Sequence, residues 1–308
     1  MIRKPTELKQ KKLFKGLIAG LPGIGKSTLG VSAPYPLLID TDCGWDRIPA
    51  QFRVPMIQPE SYDEILDDLK SDNPLLKEFE TLVFDTGGSM LTYMKAWAIK
   101  RDMKNGQKDG VPLSMRGYGA VGSEFMRLMD YCIFTLQKNI IVIFHITEKT
   151  DNDETVYRID VEGQTKNNIW KIMDFGGIMI SINNKRVLGF SPTDKYYAKG
   201  THGIDGIIEI PDITKTGQNT YLTDLFEKLN NNIKEESKYI DDYKLIKKEI
   251  ETIVKVVVDG KTANEALAKL SSLEHIYSSK QEAWALLKTK TAGLDLVYKN
   301  EKFAKVSK

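Results

Sequence analysis

Short apolar runs alternate with amphipathic stretches along much of the chain, from Leu13 to about Ile182. The runs read LFKGLIAG, YPLLID, TLVFDT, NIIVIFHI and GGIMISI, and stretches such as Gly119 to Gln137 repeat apolar residues at helical spacing. Apolar strands that alternate with helices are typical of a parallel sheet covered on both faces. Two further runs, RVLGF and DKYYAK, follow closely and predict an antiparallel extension of this sheet.

The pattern changes after EIPDI, where strands give way to segments rich in Lys, Glu, Leu and Ala. Apolar residues recur at helical spacing in Lys238 to Val258, Thr262 to Ser271 and Ser279 to Thr289, and the asparagine run 230–232 indicates a loop. We therefore predict three parts. They are a basic N-terminal arm at 1–12, an α/β core at 13–222 and a small α-helical C-terminal domain with a basic tail at 223–308.

Composition narrows the class of protein only modestly. A chain of 308 residues with 41% hydrophobic content can bury a full α/β core and still carry a small second domain. The 44 basic and 42 acidic residues nearly cancel, so the net charge neither requires nor excludes a polyanionic partner. Two cysteines, Cys43 and Cys132, make no disulfide framework, and no apolar run is long enough to span a bilayer. We expect a soluble cytoplasmic protein without a membrane partner.

The stretch GLPGIGKST fits the pattern G-x-x-x-x-G-K-[ST] and lies between an apolar strand and a helix start. Glycines let successive backbone N–H groups face a phosphate, and the helix N-terminus favours negative charge. Lys26 is expected to reach the β- and γ-phosphates, and Ser27 to ligate Mg²⁺. The alternative is a chance glycine-rich turn. The residues predicted to bind ATP are Gly20, Pro22, Gly23, Ile24, Gly25, Lys26, Ser27 and Thr28.

Carboxylates end two of the predicted strands. Asp85 closes TLVFDT at the edge of the sheet where ligands bind, so we predict that it is the second Mg²⁺ ligand and a catalytic residue. The alternative is an ordinary Asp leading into the turn TGGS. Asp40 and Asp42 end LLIDTD two residues apart and point to the same side if the strand continues, so either could face the γ-phosphate.

In order and spacing, the segments GLPGIGKST, PLLIDTDCGWDRI, TLVFDTGGSM and NIIVIFHITEK resemble phage-encoded RecA-like ATPases associated with single-strand annealing and recombination. The resemblance covers roughly residues 13 to 210. It implies a RecA-like P-loop NTPase core that hydrolyses ATP, binds single-stranded DNA and self-associates into an oligomer or filament, in a phage-infected or prophage-carrying bacterial host.

The resemblance also implies roles for two further residues. The catalytic glutamate of RecA-like proteins corresponds to Asp42, which departs from the family by one methylene; the alternative for Asp42 is a turn cap before CGWD. His145, together with Thr147, lies at the end of NIIVIFHI, where the family carries a polar residue that senses the γ-phosphate. A hydrogen-bonded structural histidine is the alternative.

Two loops of mixed or basic composition are candidates for contact with DNA. The residues singled out are Lys100, Arg101, Arg116 and Tyr118 in the first loop and Lys166 and Trp170 in the second. The basic ends of the chain, 1–15 and 286–308, would add phosphate contacts that do not depend on sequence. For each of these segments the alternative is a solvated surface without a ligand.

The resemblance implies one more feature, a pair of basic groups donated across a subunit interface, for which Lys195 and Lys199 are the candidates; the alternative is an ordinary surface lysine. The leading function is therefore a DNA-stimulated ATPase of recombination, annealing or repair. Two alternatives stay open: a nucleotide or small-molecule kinase, and a motor or loader subunit that acts with a single-strand-binding or replication protein.

Overall fold

A computed structural model describes residues 13–107, 112–151, 154–163 and 165–305. The chain forms two compact units, and the boundary in the sequence lies between Asn232 and Ile233. This division lies inside a helix, later in the chain than the change of composition near Thr223. The predicted N-terminal arm at 1–12 and the last residues of the basic tail, 306–308, lie outside the described residues.

The first unit is built on strands, and a strand hairpin also occurs in the second. The strands are β1 (Lys15–Gly20), β2 (Pro36–Asp40), β3 (Met56–Ile57), β4 (Thr81–Asp85), β5 (Asn139–Asp151), β6 (Glu154–Ile159), β7 (Phe175–Ile182), β8 (Lys185–Gly189), β9 (Ile207–Glu209), β10 (Leu296–Lys299) and β11 (Lys302–Lys305). The α-helices are α1 (Lys26–Gly30), α2 (Tyr62–Asp68), α3 (Gly87–Arg101), α4 (Met115–Asp130), α5 (Thr165–Ile172), α6 (Ile213–Thr216), α7 (Tyr221–Lys255), α8 (Gly260–Ser272) and α9 (Ser279–Ala292).

The main sheet has the order β3-β2-β4-β5-β1-β7-β8-β9, with β6 paired to β5. Strands β3, β2, β4, β5, β1 and β7 are parallel, whereas β8 and β9 are antiparallel additions. This confirms the predicted α/β class, a RecA-like P-loop core with a mainly parallel sheet and an antiparallel extension. The order places β5 between β1, which leads into the phosphate loop, and β4, which ends at Asp85.

The members of the antiparallel extension differ in part from the prediction. RVLGF forms most of β8, as expected. DKYYAK is wrong as a regular strand, because it makes only isolated bridges, from Tyr196 to Tyr157 and from Lys199 to Gly176. The place beside β8 is taken by β9 instead.

The central strands are buried on both faces, which explains their continuous apolar sequences. On one face, Val83 and Ile143 lie so close to Gly30 of α1 that an added Cβ would be 3.0 Å or less from each. On the other face, Phe144 is equally close to Gly87 of α3. Small residues at these points allow the helices to lie directly on the sheet. No helix in the described parts of the chain combines the length and apolar character needed to cross a membrane.

The start of α7 is hydrogen-bonded to the end of α1. The side chain of Asn219 donates to the carbonyl oxygen of Thr28 over 2.8 Å. The backbone N–H of Leu222 donates to the Ser32 hydroxyl, and the hydroxyl of Thr223 donates to the Ser32 carbonyl oxygen. The first turn of α7 is therefore part of the nucleotide-binding unit.

The second unit packs helices α8 and α9 and the last part of α7 around a small apolar core that includes Val257, Leu287 and Phe303. Helix α8 begins with a capping box formed by Asp259 and Thr262. The hairpin of β10 and β11, absent from the predicted helical domain, closes this core. The predicted loop at the asparagine run 230–232 is also wrong, because these residues continue α7.

Candidate nucleotide-binding site

The phosphate loop follows β1 and leads directly into α1. Gly23 and Gly25 have φ angles of 77° and 98°, a left-handed region that side chains disfavour. These two left-handed residues curl the backbone between the strand and the helix, so that N–H groups can converge on a bound anion. The motif therefore has the local conformation that the sequence pattern predicts.

Lys26 begins α1 and is only 5% exposed. Its ammonium donates to the carbonyl oxygen of Leu21 over 2.8 Å and lies 3.3 Å from Nδ1 of His145. Burial lowers the pKa of Lys26, while the nearby carboxylates of Asp85 and Asp42 oppose that shift. The lysine is thus held between backbone and imidazole, within the electrostatic reach of both carboxylates.

Asp85 ends β4 and is 4% exposed. Burial raises its pKa to about 6; Asp40 and Asp42 add to the rise, whereas a hydrogen bond from Ser27 and the charge of Lys26 oppose it. The Ser27 hydroxyl and the Asp85 carboxylate therefore lie side by side. Mg²⁺ prefers oxygen ligands and is usually held by one or two carboxylates together with phosphate and water, so this pair fits the ion. When bound, Mg²⁺ would neutralise charge on the phosphates.

The two carboxylates after β2 have different surroundings. Asp40 is almost fully buried and accepts hydrogen bonds from the backbone N–H groups of Gly44 and Trp45, so it holds the turn that follows. Asp42 is half-buried and accepts weaker hydrogen bonds from Ser89 over 3.3 Å and from Arg47 over 3.4 Å. Because β2 ends at Asp40, the strand alternation does not extend to Asp42. Of the two, Asp42 has the carboxylate that is available to a ligand.

His145 lies on β5 directly beside Gly20 of β1. Burial and the neighbouring charge of Lys26 lower its pKa, so the imidazole is neutral at pH 7. An ammonium group can only donate, so Nδ1 accepts from Lys26 and the proton of the ring is on Nε2. Thr147 lies two residues further along β5, opposite Arg158 of β6.

A cavity of about 300 Å³ opens beside His145. It is bounded by α3, α4 and the segment after β6, and its lining includes Thr86, Ser89, Lys95, Tyr118, His145, Asp160 and Glu162. Within it, Glu162 accepts hydrogen bonds from Lys95 over 2.7 Å and from the Tyr118 hydroxyl over 3.1 Å. Polar groups of both signs therefore line a pocket next to the phosphate loop.

Residues 12–202 match the family model of an AAA domain, which is more than half of the chain. The chain belongs to this AAA domain family. Family membership and the site together indicate a nucleotide-binding P-loop ATPase. Flagellar accessory protein FlaH from Methanocaldococcus jannaschii is similar in structure at a TM-score of 0.32 and 12% identity, over 65% of this chain and 90% of FlaH. The search of the curated proteins found no match.

The residues predicted to contact DNA lie mostly on the surface of the AAA domain. Lys100 is ion-paired to Asp63 over 3.0 Å, and Arg116 to Asp102 over 2.6 Å. The guanidinium of Arg101 stacks over the ring of Trp97. Tyr118 lines the cavity beside His145, as described above.

The second predicted DNA segment has a more structural environment. Lys166 is half-buried on α5. On the same helix, the indole of Trp170 packs over Gly176, where an added Cβ would be 2.6 Å from the ring. This packing against the hydrophobic core favours the structural alternative for Trp170. Contact of either residue with DNA stays a prediction.

The lysines predicted to act across a subunit interface also lie within the AAA domain. The ammonium of Lys199 donates to the carbonyl oxygens of Met173 and Lys171 at the end of α5. Lys195 is exposed, and its carbonyl oxygen accepts from the N–H of Tyr157 over 2.7 Å. The bonds of Lys199 favour a local role, and action across an interface stays a prediction for both lysines.

One residue beside the phosphate loop was missed by sequence reasoning. Arg186 of β8 places its guanidinium against Gly25, such that an added Cβ on Gly25 would be 2.7 Å from Nη1. The turn Asn183–Asn184 between two apolar runs was a signal for a hairpin, since asparagine accepts positive φ. The distance of Arg186 from the phosphate loop, however, depends on how β7 pairs with β1.

Proposed function

We propose that this protein hydrolyses ATP at the phosphate loop and couples the reaction to single-stranded DNA, which it binds with little sequence preference during recombination, annealing or repair. The observation that carries the proposal is that His145 and Tyr118 line the same cavity. His145 contacts the phosphate-loop lysine, and Tyr118 lies on α4 in the segment predicted to contact DNA. The state of the nucleotide and the position of this segment can therefore influence each other.

In the proposed reaction, Lys26 turns from Leu21 and His145 to the phosphates, where its charge stabilises the transferring phosphoryl group. Asp42 orients the attacking water, and the hydroxyl of Ser89 holds the carboxylate in place. The imidazole of His145, released from Lys26, meets the γ-phosphate through its Nε2–H. Ser27 and Asp85 would hold Mg²⁺, which would neutralise charge on the phosphates.

A second groove supports DNA binding near α3 and α4. It has a volume of about 750 Å³. Its lining includes three arginines and two carboxylates besides Trp97 and Asn105: Arg101, Arg116, Arg127, Asp102 and Glu124. Arg116 and Arg127 are fixed by ion pairs to Asp102 and Glu124, while Arg101 is held by the indole of Trp97. Arg101 forms no ion pair among the described residues, so its guanidinium is the one of the three that is available to a phosphate. Guanidinium groups also stack on bases without reading the sequence.

The groove also contains a polar atom without a partner. The side chain of Asn105 is 6% exposed, and its Nδ2 donates to the carbonyl oxygen of Ala98, which fixes the orientation of the amide. Its Oδ1 has no hydrogen-bond partner in the described residues. An acceptor that is buried without a partner costs free energy, and a donor from a ligand offsets that cost only after the wall of the groove opens around Oδ1.

A second candidate function is favoured by the cavity beside His145. Its volume and its hydroxyl and carboxylate groups suit a small hydroxylated acceptor, and Asp160 or Glu162 could take the proton from that acceptor. The protein would then be a kinase. We place this second because no arginine is among the described residues that line the cavity, whereas kinases of this fold commonly close several arginines over the phosphates.

ATP turnover measured with and without an oligonucleotide of about 20 nucleotides, longer than a typical binding site, tests the proposal. Stimulation by single-stranded DNA, with less stimulation by duplex, is the expected result. Tyr118→Phe removes only the hydroxyl that contacts Glu162 and should reduce the stimulation without removing basal turnover. Turnover that DNA does not change would contradict the proposal, and phosphate transfer to a small acceptor would support the kinase. Self-association with ATP is also proposed, and light scattering measures it directly.

A further inference from the structure

The hairpin formed by β7 and β8 extends past the end of β1. Gly20, the last residue of β1, pairs with Met179, and β7 then continues to Ile182. The chain turns at two asparagines of positive φ and returns, with Arg186 opposite Ser181. Arg186 thus lies past the carboxyl end of β1, where the phosphate loop begins. This is the edge of the sheet that holds the nucleotide site.

The side chain of Arg186 uses this position to reach the phosphate loop. Its guanidinium lies against Gly25, the residue immediately before Lys26. An added Cβ on Gly25 would be 2.7 Å from Nη1, so the guanidinium rests directly on the backbone of the phosphate loop, while the φ of 98° is what requires glycine here. Met179 Cε lies on the same side of Gly25 and gives this contact an apolar border.

The charge of Arg186 is not neutralised by a carboxylate. The residue is half-buried, and it forms no ion pair in the described parts of the chain. Asp212 interacts with it electrostatically, but one oxygen of that carboxylate accepts hydrogen bonds from the backbone and hydroxyl of Thr214, and the other lies 3.7 Å from the ammonium of Lys215. By contrast, the neighbouring Lys185 is exposed and paired to Glu209 over 2.8 Å. A half-buried cation beside a phosphate loop, without an ion pair among the described residues, suits an anionic ligand.

The side of β1 from which Arg186 reaches the phosphate loop indicates which phosphates of a nucleotide it would contact. His145 on β5 and Asp85 on β4 lie on one side of β1, and the proposed function assigns them to the γ-phosphate and the metal. Arg186 comes from β8, on the other side of β1. The guanidinium therefore lies on the side of the phosphate loop away from the reacting phosphate.

We propose that Arg186 is a second cationic residue of the nucleotide site, supplied by the same chain as the phosphate loop, and that it binds the α- and β-phosphates that ATP and ADP share. The proposal rests on nucleotide binding at the phosphate loop. Arg186 stabilises the bound substrate and the transition state equally, because the phosphates that it contacts change little in charge during transfer of the γ-phosphate. Arg186 is thus an affinity residue and not the source of transition-state stabilisation.

Direct titration of the full chain with ADP, and with ATP in the absence of turnover, tests this proposal. Arg186→Met keeps the length and packing of the side chain but removes the charge, and Arg186→Gln provides a second neutral replacement. We expect both variants to weaken ADP and ATP to the same degree, roughly tenfold or more, the scale of a hydrogen bond to a charged group. Arg186→Lys should recover part of the affinity, because it restores the charge without the planar fork.

Lys185→Met is the matched control, because it removes one positive charge from the same hairpin at the neighbouring, exposed position. It should bind ADP like the wild type. Wild-type affinity of the Met or Gln variants for ADP would overturn the proposal and assign Arg186 a packing role. Loss of affinity for ATP but not for ADP would also overturn it, in favour of a contact to the γ-phosphate. A wild-type chain that binds no nucleotide would instead contradict the proposed function itself.

Discussion

The ammonium of Lys26 lies 3.3 Å from Nδ1 of His145, so the phosphate-loop lysine is hydrogen-bonded to β5 just before the residues that pair with β6. A nucleotide that attracts Lys26 must break this bond. The imidazole is then free to meet the γ-phosphate or to move toward the adjoining cavity. In the proposed function, nucleotide binding therefore changes the position of His145, which lines the same cavity as Tyr118.

His145→Ala should therefore separate hydrolysis from its response to DNA. We expect the variant to bind ATP at least as well as the wild type, because Lys26 loses a competing partner. Stimulation by single-stranded DNA should fall several-fold. The measurement is turnover against DNA concentration, and a variant that is stimulated like the wild type would show that His145 has only a structural role.

Lys26→Ala should abolish hydrolysis. Lys26 is the basic residue of the phosphate loop GLPGIGKST, and it lies near both His145 and Asp85. The charge of Lys26 is needed where the transferring phosphoryl group develops negative charge. Turnover is followed by phosphate release, and the melting temperature checks that the variant is folded. Activity near the wild-type rate would contradict the assignment of the phosphate loop.

Asp42→Asn should preserve ATP binding and lower hydrolysis by a factor on the order of 10² or more, the usual scale for loss of a general base. Asp40→Asn is the informative comparison. It should lower the melting temperature instead, because Asp40 holds the turn at Gly44 and Trp45. If Asp40→Asn loses hydrolysis while it melts like the wild type, and Asp42→Asn stays active, the two roles are reversed.

Asp85→Asn should stabilise the free protein at neutral pH while it removes Mg²⁺-dependent turnover. The buried carboxyl has a pKa of about 6, above its ordinary value of 3.8. Below pH 3.8 the folded and unfolded forms are both protonated, and stability falls as pH rises toward 6 because only the folded form keeps the proton. Above pH 6 the penalty is complete, on the order of 3 kcal/mol for a shift of this size.

The asparagine variant lacks this titration. Its advantage in the free energy of unfolding should be small near pH 4, grow toward pH 6 and then level off. Denaturant unfolding at several pH values measures the difference. An advantage that does not change with pH would mean that Asp85 is not buried as a charge. Conversely, Mg²⁺ affinity of the wild type should decline as pH falls below about 6, because the ion needs the carboxylate.

Binding of single-stranded DNA should weaken with rising salt and lose part of that dependence in Arg101→Ala. Each phosphate contact to a single strand contributes a slope of about 0.7 to the plot of log affinity against log salt. Lys77→Ala removes one charge at an exposed position outside the groove and should leave the slope unchanged. Equal slopes for the two variants would exclude Arg101 from the DNA path.

The sequence was sufficient for those parts of the fold whose burial is uniform. Strands β1, β2, β4, β5 and β7 are buried on both faces, so their apolar runs predicted them directly. The asparagine run 230–232 was misjudged because side-chain hydrogen bonds, one local and one tertiary, stabilise α7 at this point. Asn230 bonds to Phe226 within the helix, and Asn232 bonds to the carbonyl oxygen of His202. Turn propensity gives way to such contacts.

The candidate site divides in the same way. Short sequence motifs predicted the local geometry around Lys26, Ser27 and Asp85, and the structure brings these three residues together. The choice between Asp40 and Asp42 depends on where β2 ends, which the sequence did not define. Arg186 depends on the pairing of β1, β7 and β8, a relationship between segments more than 150 residues apart in part of the sheet. Single-sequence patterns contain no such register.

The bonds between Ser32 and the first turn of α7 bear on how this architecture can evolve. If the core made no hydrogen bonds to the chain beyond residue 222, recombination of genes could exchange the C-terminal part freely among relatives. Here Leu222 and Thr223 complete the hydrogen bonding of the segment that follows the phosphate-loop helix. A viable chimera must therefore inherit α7 up to about Asn232 from the parent that supplies the phosphate loop, and only the sequence beyond it is modular.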